Sequence, residues 1–437
     1  MGGSNMSISS ALAGEGLTVF SVPVDFILFG LTLLGVAFFH RYTLPIALLG
    51  LVAIAIYKMG FAGFKDGPGL AGFMAHLAHE WVILANLLCL LTGFALLSRH
   101  FEKSRVPALL PRFLPSEWKG GFALLAMVWV LSSFLDNIAG ALIGGAMAHQ
   151  LFRGKVHIGF LAAIVAASNA GGSWSVVGDT TTTMMWIAGV SPSLVFEAII
   201  GATIALFIFG IPAAIQQDRY SPILKPSHEH IHVDWKRVGI VALILVLAVG
   251  TNVFVNMKFT EYSDHFPFIG AAVWVAILLS VKVRRPDWEV LPEAFKGSIF
   301  LLALVLCASM MPVEKLPPAS WTTAFGLGFL SAVFDNIPLT ALALKQGGYD
   351  WGFLAYTVGF GGSMVWFGSS SGVALSNMYP EARSVGGWLR HGWSIPVAYV
   401  VGFFVMLAVW KWHPDPPHRA DAAAWAAPQP AASGASE

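Results

Sequence analysis

The sequence predicts an all-α polytopic membrane protein with about ten spanning helices, two re-entrant hairpins, two broken helices and an inverted internal repeat. Of its 437 residues, 56% are hydrophobic and only 11% are charged, against about 25% charged in a soluble domain. Apolar runs recur along the chain at the length of about 20 residues that spans a bilayer. Polar Asp-Asn pairs interrupt two of these runs, and glycine-rich segments interrupt two others.

The charge balance and the cysteine content exclude several other classes of protein. The net charge is +1, so the chain lacks the basic surface of a nucleic-acid-binding protein. Its two cysteines, Cys89 and Cys307, lie in apolar runs and are too few for a disulfide framework. The environment that this composition predicts is the lipid bilayer, and no motif calls for a cofactor.

The apolar segments divide the chain into two similar halves, residues 1–215 and 237–412, joined by a polar linker at 216–236. The predicted continuous spans lie at about 21–39, 43–59, 81–98, 193–215, 237–256, 266–282, 297–311 and 392–412. The predicted hairpins lie at about 119–150 and 319–346, and the predicted broken helices at about 157–190 and 351–380. The Pro- and Ala-rich tail, 413–437, is predicted to be disordered.

An acid and an amide stand together in the middle of each predicted hairpin. Asp136 and Asn137 occupy the first, and Asp335 and Asn336 follow 199 residues later. An ionisable side chain inside a membrane segment costs several kcal/mol, so it marks a functional site by default. Because non-helical backbone at membrane depth must line a cavity or be buried in protein, we interpret each pair as the tip of a re-entrant hairpin.

The distribution of basic residues supports this topology. With the N-terminus outside and both hairpins returning to their side of origin, 18 of the 25 Lys and Arg residues fall inside. That excess satisfies the positive-inside rule. The second half then repeats the order of the first in the opposite orientation, an architecture common among secondary transporters.

A glycine-rich motif follows each hairpin. Gly-Gly-Ser occurs at 171–173 and again at 361–363, and a further glycine follows at 178 and 368, so both elements repeat with a spacing of 190 residues. Glycine costs about 1 kcal/mol in a helix interior, so these clusters predict unwound segments inside the membrane. Asp179 aligns with Ser369, so only the broken helix of the first half carries an acid at this position.

These motifs resemble those of the NhaD-type sodium/proton antiporters, in the superfamily that also contains citrate and dicarboxylate carriers. The resemblance is carried by Asp-Asn at 136–137, Ser-Asn-Ala-Gly-Gly at 168–172, Gly-Asp-Thr-Thr-Thr at 178–182 and, more loosely, Asp-Asn-Ile-Pro-Leu-Thr at 335–340. It implies two oppositely facing hairpins and two broken helices that meet at a midplane ion site. It also implies a homodimer and elevator-like transport.

The residue types at the proposed site suit a hard cation, which prefers oxygen ligands. Crowded carboxylates in a low dielectric favour the protonated form until a cation displaces the proton. Such competition would exchange Na⁺ or Li⁺ for H⁺, with Asp136 and Asp179 as the exchange pair and Asp335 secondary. The chain is then a transporter and not an enzyme. The candidate ion-binding residues are Asp136, Asn137, Asn169, Asp179, Thr181, Thr182, Asp335, Asn336 and Ser369.

Other interpretations compete with this one. The acids could instead cap half-helices, and the threonines could serve helix packing alone. A sodium-coupled dicarboxylate or citrate carrier is the alternative function, and an intramembrane aspartyl protease is a remote one, since Gly178-Asp179 lacks the first glycine of the protease motif. His228, His230 and His232 in the linker are candidates for pH sensing. We expect the protein in a bacterial inner membrane.

Overall fold

The protein is almost entirely helical, as the sequence predicts. The computed structural model describes residues 17–19, 22–39, 42–65, 67–109, 113–223, 232–259, 262 and 265–415. A two-residue antiparallel ladder, β1 (Thr18–Val19) with β2 (Val22–Pro23), is the strand structure of this described part. The all-α polytopic fold class is therefore confirmed.

The helices of the first half match the predicted apolar runs, except that the helix over the predicted span 81–98 is much longer and begins at Gly69. They are α1 (Val24–Phe38), α2 (Thr43–Tyr57), α3 (Gly69–Lys103), α4 (Val106–Leu109), α5 (Trp118–Ser132), α6 (Asn137–Leu151), α7 (Ile158–Gly172), α8 (Thr180–Ile187), α9 (Pro192–Phe196) and α10 (Ile199–Tyr220). The first hairpin is α5 with α6, and its chain reverses at Ser133–Asp136. The first broken helix is α7 with α8. Gly171 and Gly172 are the last two residues of α7, and Gly178 lies in the unwound segment between the two helices.

The helices of the second half repeat this order. They are α11 (Trp235–Lys258), α12 (Phe268–Ser280), α13 (Leu291–Ser309), α14 (Trp321–Ser331), α15 (Asn336–Gln346), α16 (Trp351–Gly361), α17 (Ser370–Met378), α18 (Val385–His391) and α19 (Ser394–Trp410). The second hairpin is α14 with α15. The second broken helix is α16 with α17, joined through a 3-10 turn at Gly362–Met364.

Only some of these helices have the length of a complete membrane span. Five in the described chain are long and apolar enough, and a sixth span results if α18 and α19, bent by 58°, count as one. Four further apolar helices (α1, α5, α7 and α12) are shorter. The halves of the hairpins and broken helices are short because their polar or glycine-rich breaks lie at the middle of the membrane segment. These lengths support an integral membrane protein.

The helices form two packed groups. The frame group consists of α1, α2, α3, α11, α12 and α13, and the site group consists of α5 to α8, α10, α14 to α17 and α19. Contacts of α13 with α15 and of α3 with α8 join the two groups. Within the site group, α6 packs on α17 while α15 packs on α8. Each hairpin thus packs against the broken helix of the other half, as an inverted repeat predicts.

Glycines allow each hairpin to lie against the broken helix of its own half. A Cβ atom at Gly171 would lie 2.1 Å from the carbonyl oxygen of Trp129, and one at Gly361 would lie 2.3 Å from that of Gly328. Both distances are far below van der Waals contact, so any side chain here would force the helices apart. The pair occurs at the same place in both repeats, which gives the Gly-Gly motif a packing role as well as an unwinding one.

Two predicted boundaries need correction. Helix α10 continues to Tyr220, so the first five residues of the predicted linker are helical, and the Gln217 amide is buried and donates to the carbonyls of Lys155 and Ser221. The predicted disordered tail begins with ordered residues, because His413 contacts Asp350 and Glu197. Burial of these polar partners accounts for the order. The rest of the tail, from residue 416, lies outside the described residues.

Candidate functional site

Four half-helices begin at the candidate site, and their N-caps are four predicted site residues. Asp136, Asp179, Asp335 and Ser369 occupy the N-cap positions of α6, α8, α15 and α17, respectively. Asp179 accepts from the amide of Thr181 at 2.9 Å. Helix N-termini favour negative charge, so carboxylates are well placed here. The side chains of Asp179, Asp335 and Ser369 accept hydrogen bonds from the first turns of their helices, so the capping role that the sequence offered is present for these three residues.

Asp179 lies where the two hairpin tips meet. Its carboxyl group is only 2% exposed. Its Oδ2 atom accepts hydrogen bonds from the side-chain amides of Asn137 at 3.0 Å and Asn336 at 3.4 Å. One acid therefore connects the tip of each hairpin to the broken helix of the first half.

Asn169 plays the corresponding part between the two broken helices. Its amide nitrogen donates to the hydroxyls of Ser363 and Ser369, each at 3.0 Å. Its carbonyl oxygen accepts from Ser371 at 2.7 Å and from Asn137 at 3.2 Å. The side chain is fully buried, so these hydrogen bonds are sheltered from competing water.

The three acids stand in different surroundings. Asp136 and Asp335 both lie close enough to Asp179 for their charges to interact with it. Asp335 accepts hydrogen bonds from the Ile337 amide and the Ser370 hydroxyl, each at 3.1 Å. Asp136 has no side-chain capping hydrogen bond. The backbone groups next to its carboxylate are those of Asn137 and Ile138.

A small cavity of about 60 Å³ opens beside the acids. Its polar side contains Asp136 and Asp179, which supports treating these two acids as a pair. Its opposite wall is the apolar face of α3 in the frame group. The lining residues are Leu90, Leu91, Phe94, Ala95, Asp136, Val177, Asp179, Thr180 and Thr183. The cavity therefore separates the acids of the site group from the frame.

The threonines of α8 mainly hold the unwound segment in place. The Thr182 hydroxyl donates to the carbonyls of Ser175 and Asp179, at 2.6 and 2.9 Å, and Thr183 donates to that of Val176 at 2.9 Å. Thr181 lies next to the Asp179 carboxylate. Of the two predicted threonine ligands, the structure places Thr181 beside an acid and Thr182 against the backbone.

Three serines that were not among the candidate ion-binding residues also belong to this network. Ser363 and Ser371 bond Asn169, and Ser370 bonds Asp335. The 190-residue repeat could have identified two of these serines, because it aligns Ser370 and Ser371 with Thr180 and Thr181. Hydroxyls that recur at both broken helices indicate a shared polar lining.

The predicted pH-sensing histidines do not join this site in the described structure. His232 is exposed, whereas His228 and His230 lie outside the described residues. His76, at the start of α3, is buried, and its Nε2 atom lies 2.9 Å from the hydroxyl of Ser309. That contact places His76 in helix packing within the frame group.

Comparisons with known proteins agree with the motifs. No family model matches the chain. The chain is 25% identical over 365 residues to sodium/proton antiporter 1 of Arabidopsis thaliana, an alignment that covers 74% of this chain and 59% of the plant protein. It is 27% identical over 305 residues to the Na⁺/H⁺ antiporter NhaD of Vibrio parahaemolyticus, covering 59% of this chain and 72% of that protein.

A third relative matches at similar strength. The Na⁺/H⁺ antiporter NhaD of Alkalimonas amylolytica is 25% identical over 346 residues, which is 67% of this chain and 70% of that protein. The chain thus spans about three fifths of the plant relative's length and somewhat more of the bacterial ones. All three proteins are named as antiporters, which are transporters and not enzymes. The chain is therefore a homologue of the NhaD-type sodium/proton antiporters.

Proposed function

We propose that the chain exchanges Na⁺ or Li⁺ for H⁺ by competition at Asp136 and Asp179. The observation that carries the proposal is the convergence of both hairpin tips, through Asn137 and Asn336, on the buried carboxylate of Asp179. Binding a cation there neutralises charge that a low dielectric makes costly. Protonation neutralises the same charge, so either ion can occupy the site but not both.

The surrounding atoms supply the rest of a cation site. Asp136 and Asp179 line the same cavity, and their oxygens suit a hard cation. Asn137, Asn336 and Thr181 all contact the Asp179 carboxylate, and each can supply a neutral oxygen. Asp335 is secondary in this proposal, because it does not line the cavity that Asp136 and Asp179 share.

An anion carrier is a weaker candidate. Converging helix N-termini can bind anions, but here three of the four N-caps are themselves carboxylates. They already fill the positions that an anionic substrate would take. Moreover, no lysine or arginine of the described chain forms an ion pair with these acids. A dicarboxylate would meet repulsion without a compensating cation.

The division into two helix groups fits the transport cycle that the resemblance implies. The cavity lies between the site group and α3 of the frame. A movement of the site group past α3 and α13 would carry the cavity away from this wall and open it to one side of the membrane. We place the protein, as a homodimer, in a bacterial inner membrane as part of the same proposal.

Proteoliposomes test the proposal directly. The wild-type protein should dissipate an imposed pH gradient when Na⁺ or Li⁺ is added, and K⁺ or citrate should have little effect. Asp136→Asn and Asp179→Asn should each reduce the Na⁺ response to background. Asp287→Asn, at an acid that pairs with Arg99 and Lys103 in the frame group, is the matched control. Wild-type Na⁺ responses in both site variants would refute the assignment.

A further inference from the structure

A second cluster of ligand-type side chains lies far from the acids just described. Glu197 precedes α10, Asp350 caps α16, and His413 follows α19. One ligand atom from each of the three lies within 4.8 Å of the others. In the predicted topology this cluster faces the outer side of the membrane, because α19 ends there.

The three side chains contact one another through their polar atoms. The Nε2 atom of His413 lies 3.2 Å from Oε2 of Glu197, and its Nδ1 atom lies 2.6 Å from Oδ2 of Asp350. Asp350 is only 2% exposed, and it also accepts from the amides of Gly352, Phe353 and His413. The backbone therefore holds this carboxylate rigidly in position at the centre of the cluster.

Two buried atoms in the cluster lack a hydrogen-bond partner. They are Oε2 of Glu197 and Nδ1 of His413. Both atoms take part in the ion-pair contacts just described, and Nε2 of His413 also lies 3.4 Å from Oε1 of Glu197. A metal ion bound to one imidazole nitrogen would replace one of these ion pairs.

The backbone makes room for this arrangement. A Cβ atom at Gly352 would lie 2.9 Å from the Cβ of Glu197 and 3.3 Å from its Oε2. Glycine at this position therefore lets the glutamate side chain lie against the first turn of α16. The carboxylate of Asp415 adds further negative charge next to Glu197.

We propose that Glu197, Asp350 and His413 form a binding site for a divalent transition-metal ion of the zinc class. One imidazole nitrogen with two carboxylates is a ligand set that such ions accept, with remaining positions open to water. Two carboxylates match the charge of a divalent ion. The site would fasten the chain after α19 to the first turns of α10 and α16.

Calorimetric titration of the purified full chain with Zn²⁺ tests the site. The protein should be prepared without a polyhistidine tag. The wild type should bind Zn²⁺ in a manner reversed by EDTA, and Glu197→Gln and His413→Gln should each weaken that binding roughly 10- to 100-fold, a loss seen when metal sites are perturbed. Equal affinity in the wild type and both variants, or no EDTA-reversible binding, would overturn the proposal and leave His413 as a protonated bridge.

Two controls separate this site from other effects. Replacing His228, His230 and His232 together by Asn should not change the Zn²⁺ binding that Glu197→Gln and His413→Gln weaken. That result would exclude the linker histidines as ligands of this Zn²⁺ ion. Glu289→Gln, at an exposed acid of the frame group, should also leave this binding unchanged. None of these measurements needs transport, so the result is independent of the proposed antiport.

Discussion

The side-chain amide of Asn336 donates a hydrogen bond to Oδ2 of Asp179 over 3.4 Å. The two residues are 157 positions apart and belong to opposite halves of the chain. The same oxygen accepts from Asn137 at 3.0 Å. Both hairpin tips thus donate to one carboxylate. Protonation of this carboxylate, or a bound ion, would alter hydrogen bonds in both halves of the chain.

This shared acid predicts unequal effects for the two asparagines. Asn137→Ala removes the shorter bond to Asp179 and also the 3.2 Å bond to Asn169, whereas Asn336→Ala removes a single longer bond. A hydrogen bond to a charged group contributes about 1.5–3 kcal/mol. The Na⁺ concentration for half-maximal transport in proteoliposomes should rise roughly tenfold or more in Asn137→Ala and less in Asn336→Ala. Equal shifts would contradict the central position of Asn137.

The third acid should modulate transport without being essential. Asp335 lies outside the cavity lining, and its oxygens already accept from Ile337 and Ser370. We expect Asp335→Asn to retain measurable Na⁺-dependent proton movement under conditions in which Asp136→Asn shows none. Ser370→Ala removes one of the hydrogen bonds to Asp335 and should have a similar, smaller effect. Complete loss in Asp335→Asn would place this acid in the exchange step.

The close helix contacts predict a severe packing defect at Gly171. In Gly171→Ala the new methyl group would lie 2.1 Å from the Trp129 carbonyl, so α5 and α7 must separate. A Cβ atom at Gly239 or Gly250, in α11, would have no other atom within 4 Å, and alanine there should stabilise the helix by about 0.5–1 kcal/mol. Thermal unfolding in detergent should show a large loss for Gly171→Ala and none for Gly239→Ala. A wild-type midpoint in Gly171→Ala would contradict the packing.

A lysine should stabilise the junction of the two helix groups. Lys345, in α15, donates to the carbonyls of Ser309 and Met311 at the end of α13. Lys345→Met keeps the volume but leaves these carbonyls without their donor, which should cost about 1–3 kcal/mol. The expected result is a lower melting temperature in detergent, with no change in Lys282→Met, whose side chain is exposed. Unchanged stability in Lys345→Met would show that water replaces the ammonium group.

The sequence alone predicted the elements of the site. The cost of burying Asp136 and Asp335 in apolar segments marked both hairpin tips, and the Gly-Gly-Ser repeats marked both broken helices. Each of these signals is local, because a charge or a glycine in a membrane helix carries its energetic cost wherever the helix packs. Most helices coincide with a predicted apolar run for the same reason, although α3 begins well before its predicted start.

Only the tertiary structure decided which of these polar groups meet. Asn169 bonds Ser363, Ser369 and Ser371 across about 200 residues of chain, and no local pattern specifies such partners. The Glu197, Asp350 and His413 cluster likewise joins three helix ends that are adjacent only in space. Burial cost identifies a polar residue from its own segment, but its hydrogen-bond partners depend on how distant helices pack. The sequence therefore determined the inventory of the site, and the fold determined its connections.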